Sequence, residues 1–117
     1  MLQKAPLYAY LPATDVSRAR AFYEKELGFK PGKELAGGVV YQFGQGTAAF
    51  LYPTPNAGTS KASQAFWQVK DVELEVAQLK ARGIDFNEFG GIVTAGGAKA
   101  AWFRDTEGNI LAIVQSQ

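Results

Sequence analysis

The chain has 117 residues, 47% of them apolar and 20% charged, with a formal net charge of +1. That length fills one core and is too short for two. A near-neutral balance without runs of like charge leaves no electrostatic footprint for nucleic acid or a membrane surface. There is no Cys and no His. A disulfide framework, a thiolate nucleophile and Ser-His-Asp or Cys-His catalysis are therefore excluded, and any metal would have to be held by carboxylates, amides and water. The start carries no apolar signal-type segment and no window approaches a membrane span, so a cytoplasmic protein is expected.

Leu7 to Leu11 is a short alternating run, with Tyr8 and Tyr10 on one face, and it predicts a strand closed by Pro12. Asp15 is placed to cap a helix from about Val16 to Leu27, with Gly28 at its end. A weak strand over Lys33 to Ala36 precedes a Gly37-Gly38 turn. Strong strands follow over Val39 to Phe43 and Thr47 to Tyr52. Thr54 to Ser63 is rich in Pro, Asn, Gly and Ser, and reads as a linker or mobile loop. The pattern then returns: a strand over Gln64 to Val69, Asp71 capping a helix from Val72 to Arg82, and Gly83 ending it. A weaker strand over Ile84 to Phe89 and a Gly-rich loop over 90–97 come next. The chain closes with a hairpin over 101–114, turning at Asp105 to Asn109.

The two helix-capping Asp residues stand 56 positions apart and the two helix-ending glycines 55. Two copies of strand–helix–strand–strand–strand predict a duplicated α+β domain. Glu24, Glu26, Glu73 and Glu75 fall on helix surfaces and read as solvated charges, and Glu88 and Glu107 lie in or beside loops. The Gly-rich loop lacks the Lys-Ser/Thr pair and following helix of a phosphate loop, and reads as a lid.

Leu11 to Asp15 leading into Arg18 to Phe29, Val69-Lys70-Asp71, and Asp105-Thr106-Glu107-Gly108-Asn109 together resemble the vicinal-oxygen-chelate superfamily. That group includes glyoxalases, extradiol dioxygenases and bleomycin resistance proteins. Thr106 departs from the Pro usual in the family's turn. The resemblance implies one domain over 1–117, built of two βαβββ modules (about 6–53 and 63–117). Their mixed sheets curl around a cavity, helices lie on the outer face, and a second subunit often completes the site. It also implies four metal-ligand positions, which fall on Tyr8, Phe50, Gln64 and Ala112. The family's enzymes use His, Gln or Glu there, and only Gln64 matches. The Lys often found in the matching loop of the lyases is Ala95 here.

Alternation assigns Leu7, Leu11, Trp67, Val69, Leu111 and Ile113 to the helix-packed side of the sheets. Tyr8, Tyr10, Phe50, Gln64, Phe66 and Ala112 take the other side. Tyr41 and Trp102 are the further aromatic candidates. Aromatics in a small domain are most often core. Here they share a face with a polar Gln64, and a ligand cavity lined by Tyr8, Tyr10, Tyr41, Phe50, Gln64, Phe66, Trp102 and Ala112 is the reading adopted. The expected function is a metal-independent, cofactor-free small-molecule-binding protein, a homodimer, sequestering an aromatic or planar ligand. The alternative is a lyase or dioxygenase-like enzyme of the same group.

Overall fold

In the computed structural model, which describes residues 1–116, two four-stranded sheets are built from consecutive halves of the chain. The first half supplies β1 (Tyr8–Ala13), α1 (Val16–Ala21), β2 (Glu34–Leu35), β3 (Gly38–Gln42) and β4 (Ala48–Pro53). The second supplies β5 (Ala65–Gln68), α2 (Val72–Ala81), β6 (Val93–Ala95), β7 (Ala98–Arg104) and β8 (Ile110–Gln115). The sheets have matching orders, β1-β4-β3-β2 and β5-β8-β7-β6, each with its first strand parallel to its last and the remaining pairs antiparallel. This is the duplicated βαβββ architecture expected from the sequence.

Both helices start where their side chains dictate. Asp15 and Asp71 have extended backbones, and their carboxylates accept from the N–H of Arg18 and Leu74, satisfying orphan donors of the first turn. The first helix does not run evenly to Leu27. After Ala21 it widens into a π turn over Phe22–Glu26, with the Leu27 N–H reaching back to the Phe22 carbonyl. Two consecutive residues, Phe22 and Tyr23, are both buried at this widening.

The core is continuous across the two modules. Leu11, Ala19, Tyr23, Tyr41 and Leu51 from the first join Val72, Phe86, Phe103, Leu111 and Ile113 from the second. Trp67 bridges them, its ring centroid 5.7 Å from those of Phe29 and Phe43. Alternation therefore holds for Leu11, Leu111, Ile113 and Trp67. Leu7 departs from it: it lies ahead of β1 and is 89% exposed.

Three expectations are corrected. Ile84 to Phe89 is not a strand. Ile84 and Phe86 are buried singly, but the Asp85 carboxylate accepts from the Asn87 N–H and draws the chain into a short 3₁₀ turn. The missing strand is β6, inside the stretch read as a Gly-rich loop, where Val93–Ala95 pairs with Ala98–Ala100. The segment read as a mobile linker is docked at Gly58, whose N–H donates to Asn109 Oδ1. A Cβ at Gly58 would sit 2.4 Å from the Glu107 carbonyl oxygen, and its φ is +74°. Only glycine permits this approach.

Candidate functional site

Register decides which side chains share a surface. In the first sheet Tyr10 pairs with Phe50, and Phe50 with Val40, so these three stand in one row across the face away from the helices. Tyr8 and Tyr52 flank the row. The rings form a cluster: Tyr10 meets Tyr52 edge-on at 4.8 Å, and Phe50 stacks on Tyr52 at 6.1 Å. Tyr8, Tyr10, Leu35, Val40 and Phe50 line a groove of about 270 Å³ over this face. That is below the roughly 300–1,000 Å³ of a cavity enclosing a drug-sized ligand.

The second sheet presents the equivalent row with different sizes. Phe66 pairs with Ala112, and Ala112 with Trp102. A small buried side chain thus lies between two large rings. The central position of the row is thus filled by the Phe50 ring on the first face and by the Ala112 methyl on the second. Gln64 precedes β5 and is exposed, its N–H bonded to the Ile110 carbonyl.

The sequence-derived site residues are therefore divided. Tyr8, Tyr10 and Phe50 come together on the first sheet. Gln64, Phe66, Trp102 and Ala112 come together on the second. Tyr41 joins neither and is corrected to core. It pairs with Ala49 on the inner face, is 0% exposed, and packs against Tyr23 and Phe29. Its hydroxyl donates to Glu24, and burial first, then that carboxylate, pushes its pKa up. Glu24, read as a solvated charge, is thus a half-buried acceptor shared by Tyr41 and Arg20. Val40, Leu35 and Tyr52 belong to the face and were missed. For Tyr52 the signal was available, since it lies two residues after Phe50 and so on the same face. For Val40 it was weaker, because Val39-Val40-Tyr41 is apolar on both sides and only Gln42 marks the open face.

Several large apolar side chains on these faces meet solvent: Tyr8 is 49%, Tyr10 65% and Phe66 61% exposed. The edge strands β1 and β5 also border a cleft of about 600 Å³ between the modules, lined by Leu7, Leu11, Phe43, Trp67 and Val69 among others.

The four positions that hold metal in the family's enzymes do not fit a divalent ion. Tyr8 and Phe50 are on one sheet, Gln64 and Ala112 on the other, and one amide without carboxylate or imidazole cannot compete with water for such an ion. Among the described residues no three His, Cys, Asp or Glu side chains cluster as ligands. No helix there is long and apolar enough to cross a membrane.

The carboxylates that matter lie instead at the module junction. Glu107, its side chain fully buried, accepts from the N–H of Thr14 and Asp15, the Thr14 hydroxyl and the Arg18 guanidinium, at 2.7–3.2 Å. Burial alone would raise its pKa, but Arg18, Asp15 and Thr14 outweigh burial and hold it at about 2. Asp105, two residues earlier, accepts from the Tyr23 hydroxyl and from Asn109, and burial leaves its pKa raised. The closing turn is thus a structural latch between modules.

A two-module fold with aromatic sheet faces turned away from the helices and this closing turn defines a class, and sequence comparison supplies the family. The Glyoxalase/Bleomycin resistance protein/Dioxygenase superfamily model matches residues 6–113, and the chain belongs to that superfamily. No curated protein sequence matches it. Among solved structures it is similar to TnmS3, an antibiotic-binding protein from Streptomyces sp. CB03234 (22% identity, TM-score 0.79, covering 100% of this chain and 99% of that one). It is also similar to a glyoxalase/bleomycin resistance protein from Catenulispora acidiphila DSM 44928 (23%, 0.76, 96% and 98%). A lactoylglutathione lyase from Agrobacterium tumefaciens matches as well (18%, 0.75, 96% and 93%). At these identities the likeness is one of fold.

Proposed function

We propose that the protein is a metal-independent binder of a planar or aromatic small molecule, working as a twofold homodimer. The observation that carries this reading is the pair of complementary aromatic rows, left open to solvent on sheets whose first strands are free edges. A contiguous exposed apolar surface of this kind marks an interaction site. The groove over the first row, about 270 Å³, is too small to enclose a drug-sized ligand by itself. A second copy, setting its Ala112-centred row over the first copy's Phe50-centred row, would make two equivalent enclosed sites and cover the edges of β1 and β5. The similar structure described as an antibiotic-binding protein supports a small molecule as the ligand. A lyase of the glyoxalase type would need an ion that Tyr8, Phe50, Gln64 and Ala112 do not supply.

Light scattering at micromolar concentration is expected to give twice the chain mass; a monomer would sink the shared-site reading. Elemental analysis is expected to find no stoichiometric zinc, nickel, iron or manganese. About one metal per chain, lost in Gln64→Ala, would restore the enzyme alternative. Tyr10→Ala and Phe66→Ala are each expected to weaken binding of a planar aromatic by about 1–3 kcal/mol, by removing stacked area. Both rings are solvent-exposed in the single chain, so neither change should disturb its core.

A further inference from the structure

We infer that the bound molecule is uncharged where it is enclosed, and that these faces reject the same planar scaffold carrying a carboxylate or an ammonium. The inference rests on the binding reading above and specifies the ligand class for that site. The chain has 12 Lys and Arg and 11 Asp and Glu, yet almost none reach the two faces. On the first sheet the residues facing away from the helices are Tyr8, Tyr10 and Pro12 of β1, Leu35 of β2, Gly38, Val40 and Gln42 of β3, and Ala48, Phe50 and Tyr52 of β4. Glu34, beside Leu35, points the other way and reaches Arg20. On the second sheet the same side carries Phe66, Gln68, Val93, Ala95, Ala98, Ala100, Trp102, Ile110, Ala112 and Val114. Lys99 lies on the opposite side and pairs with Glu73.

The single Lys, Arg, Asp or Glu within these rows is Arg104, at the turn end of β7, and it is already neutralised. Its Nε donates to both oxygens of Glu88, its NH1 to the Gly108 carbonyl, and its guanidinium lies 5.4 Å from the centre of the Phe89 ring. What the faces offer is aromatic area with phenol and amide groups, which hydrogen-bond hydroxyl and carbonyl oxygens. A charge enclosed there would lose its hydration and gain no counter-ion. Carboxylates, phosphates, peptide conjugates and polycations are the classes disfavoured.

The test uses three ligands of one shape: 9-anthracenemethanol, 9-anthracenecarboxylate and 9-anthracenemethylammonium. Energy transfer from Trp to the anthracene reports binding to the full-length protein. The alcohol is expected to bind roughly tenfold or more tightly than either ion, because only the ions lose uncompensated hydration. Gln42→Glu, an exposed near-isosteric change on the first face, is expected to shift the ammonium-to-carboxylate preference severalfold toward the ammonium. If an ion binds as well as the alcohol, and Tyr10→Ala or Phe66→Ala weakens it, the charge inference fails while the site stands. An unchanged preference in Gln42→Glu also counts against the charge inference. If none of the three binds, the site reading falls and this inference falls with it.

Discussion

Glu107→Ala is expected to lower stability by about 3 kcal/mol, measured as the urea midpoint at fixed protein concentration. The substitution removes one buried carboxylate but strands several partners: the N–H groups of Thr14 and Asp15 at the start of α1, and the guanidinium of Arg18. These belong to the other module, so the lost contacts are those that hold the two halves in register. The same residue sets an acid dependence. Its folded pKa of about 2 lies below the ordinary value of 4.5. A depressed carboxyl stabilises the fold above the unfolded pKa, and that stability is lost as pH falls from about 4.5 toward 2. The shift corresponds to at most about 3 kcal/mol, trimmed because Arg18 is half exposed to water. Asp105 acts with the opposite sign, since its raised pKa favours the protonated folded state on acidification. Glu107→Gln should therefore flatten the loss of stability between pH 4.5 and 2; an unchanged pH profile would assign the acid sensitivity elsewhere.

Asn109→Ala is expected to cost about 2–4 kcal/mol by the same measurement. Asn109 is 1% exposed and ties three segments together. Its Nδ2 donates to the Pro12 carbonyl at 2.7 Å and to Asp105 at 2.8 Å, and its Oδ1 accepts from the Gly58 N–H. Alanine leaves these buried groups unpaired and frees the 54–63 segment. Faster amide exchange at Gly58 should accompany the loss. If stability changes by less than about 1 kcal/mol, the turn is not the latch described here.

These two residues also mark where sequence reading stopped. Asp15 and Asp71 could be placed because a cap bonds within its own first turn, three residues away. The closing hairpin could be placed because Asp105, Gly108 and Asn109 are turn residues between two apolar runs. Glu107 carries no local signal, since its partners lie 89 to 93 positions away. Strand β6 was hidden because Val93-Thr94-Ala95 is short, sits between glycines, and pairs on only one side. Ile84 and Phe86 imitate a strand because a single buried residue on either side of Asp85 has the period of two. At the site, alternation correctly separated Tyr8, Tyr10 and Phe66 from Leu11 and Trp67. It failed for Tyr41, where Val39-Val40-Tyr41 is apolar on both faces and the pairing with β4 decides the side. Nor could alternation reveal that the two aromatic rows stand on separate sheets.

A mixing experiment tests the shared site most directly. One chain carries Tyr10→Ala with Phe50→Ala and the other Phe66→Ala with Trp102→Ala, so that each homodimer has both sites damaged on one side. The two are refolded together, and 9-anthracenemethanol binding is counted by equilibrium dialysis. If the two aromatic rows of a site come from different copies, each mixed dimer has one intact site and one doubly damaged one. Random pairing should then restore about a quarter of the wild-type sites at wild-type affinity. A mixture that binds no better than the better of its two components would contradict the shared site, and with it the proposal that the aromatic faces of two copies enclose the ligand.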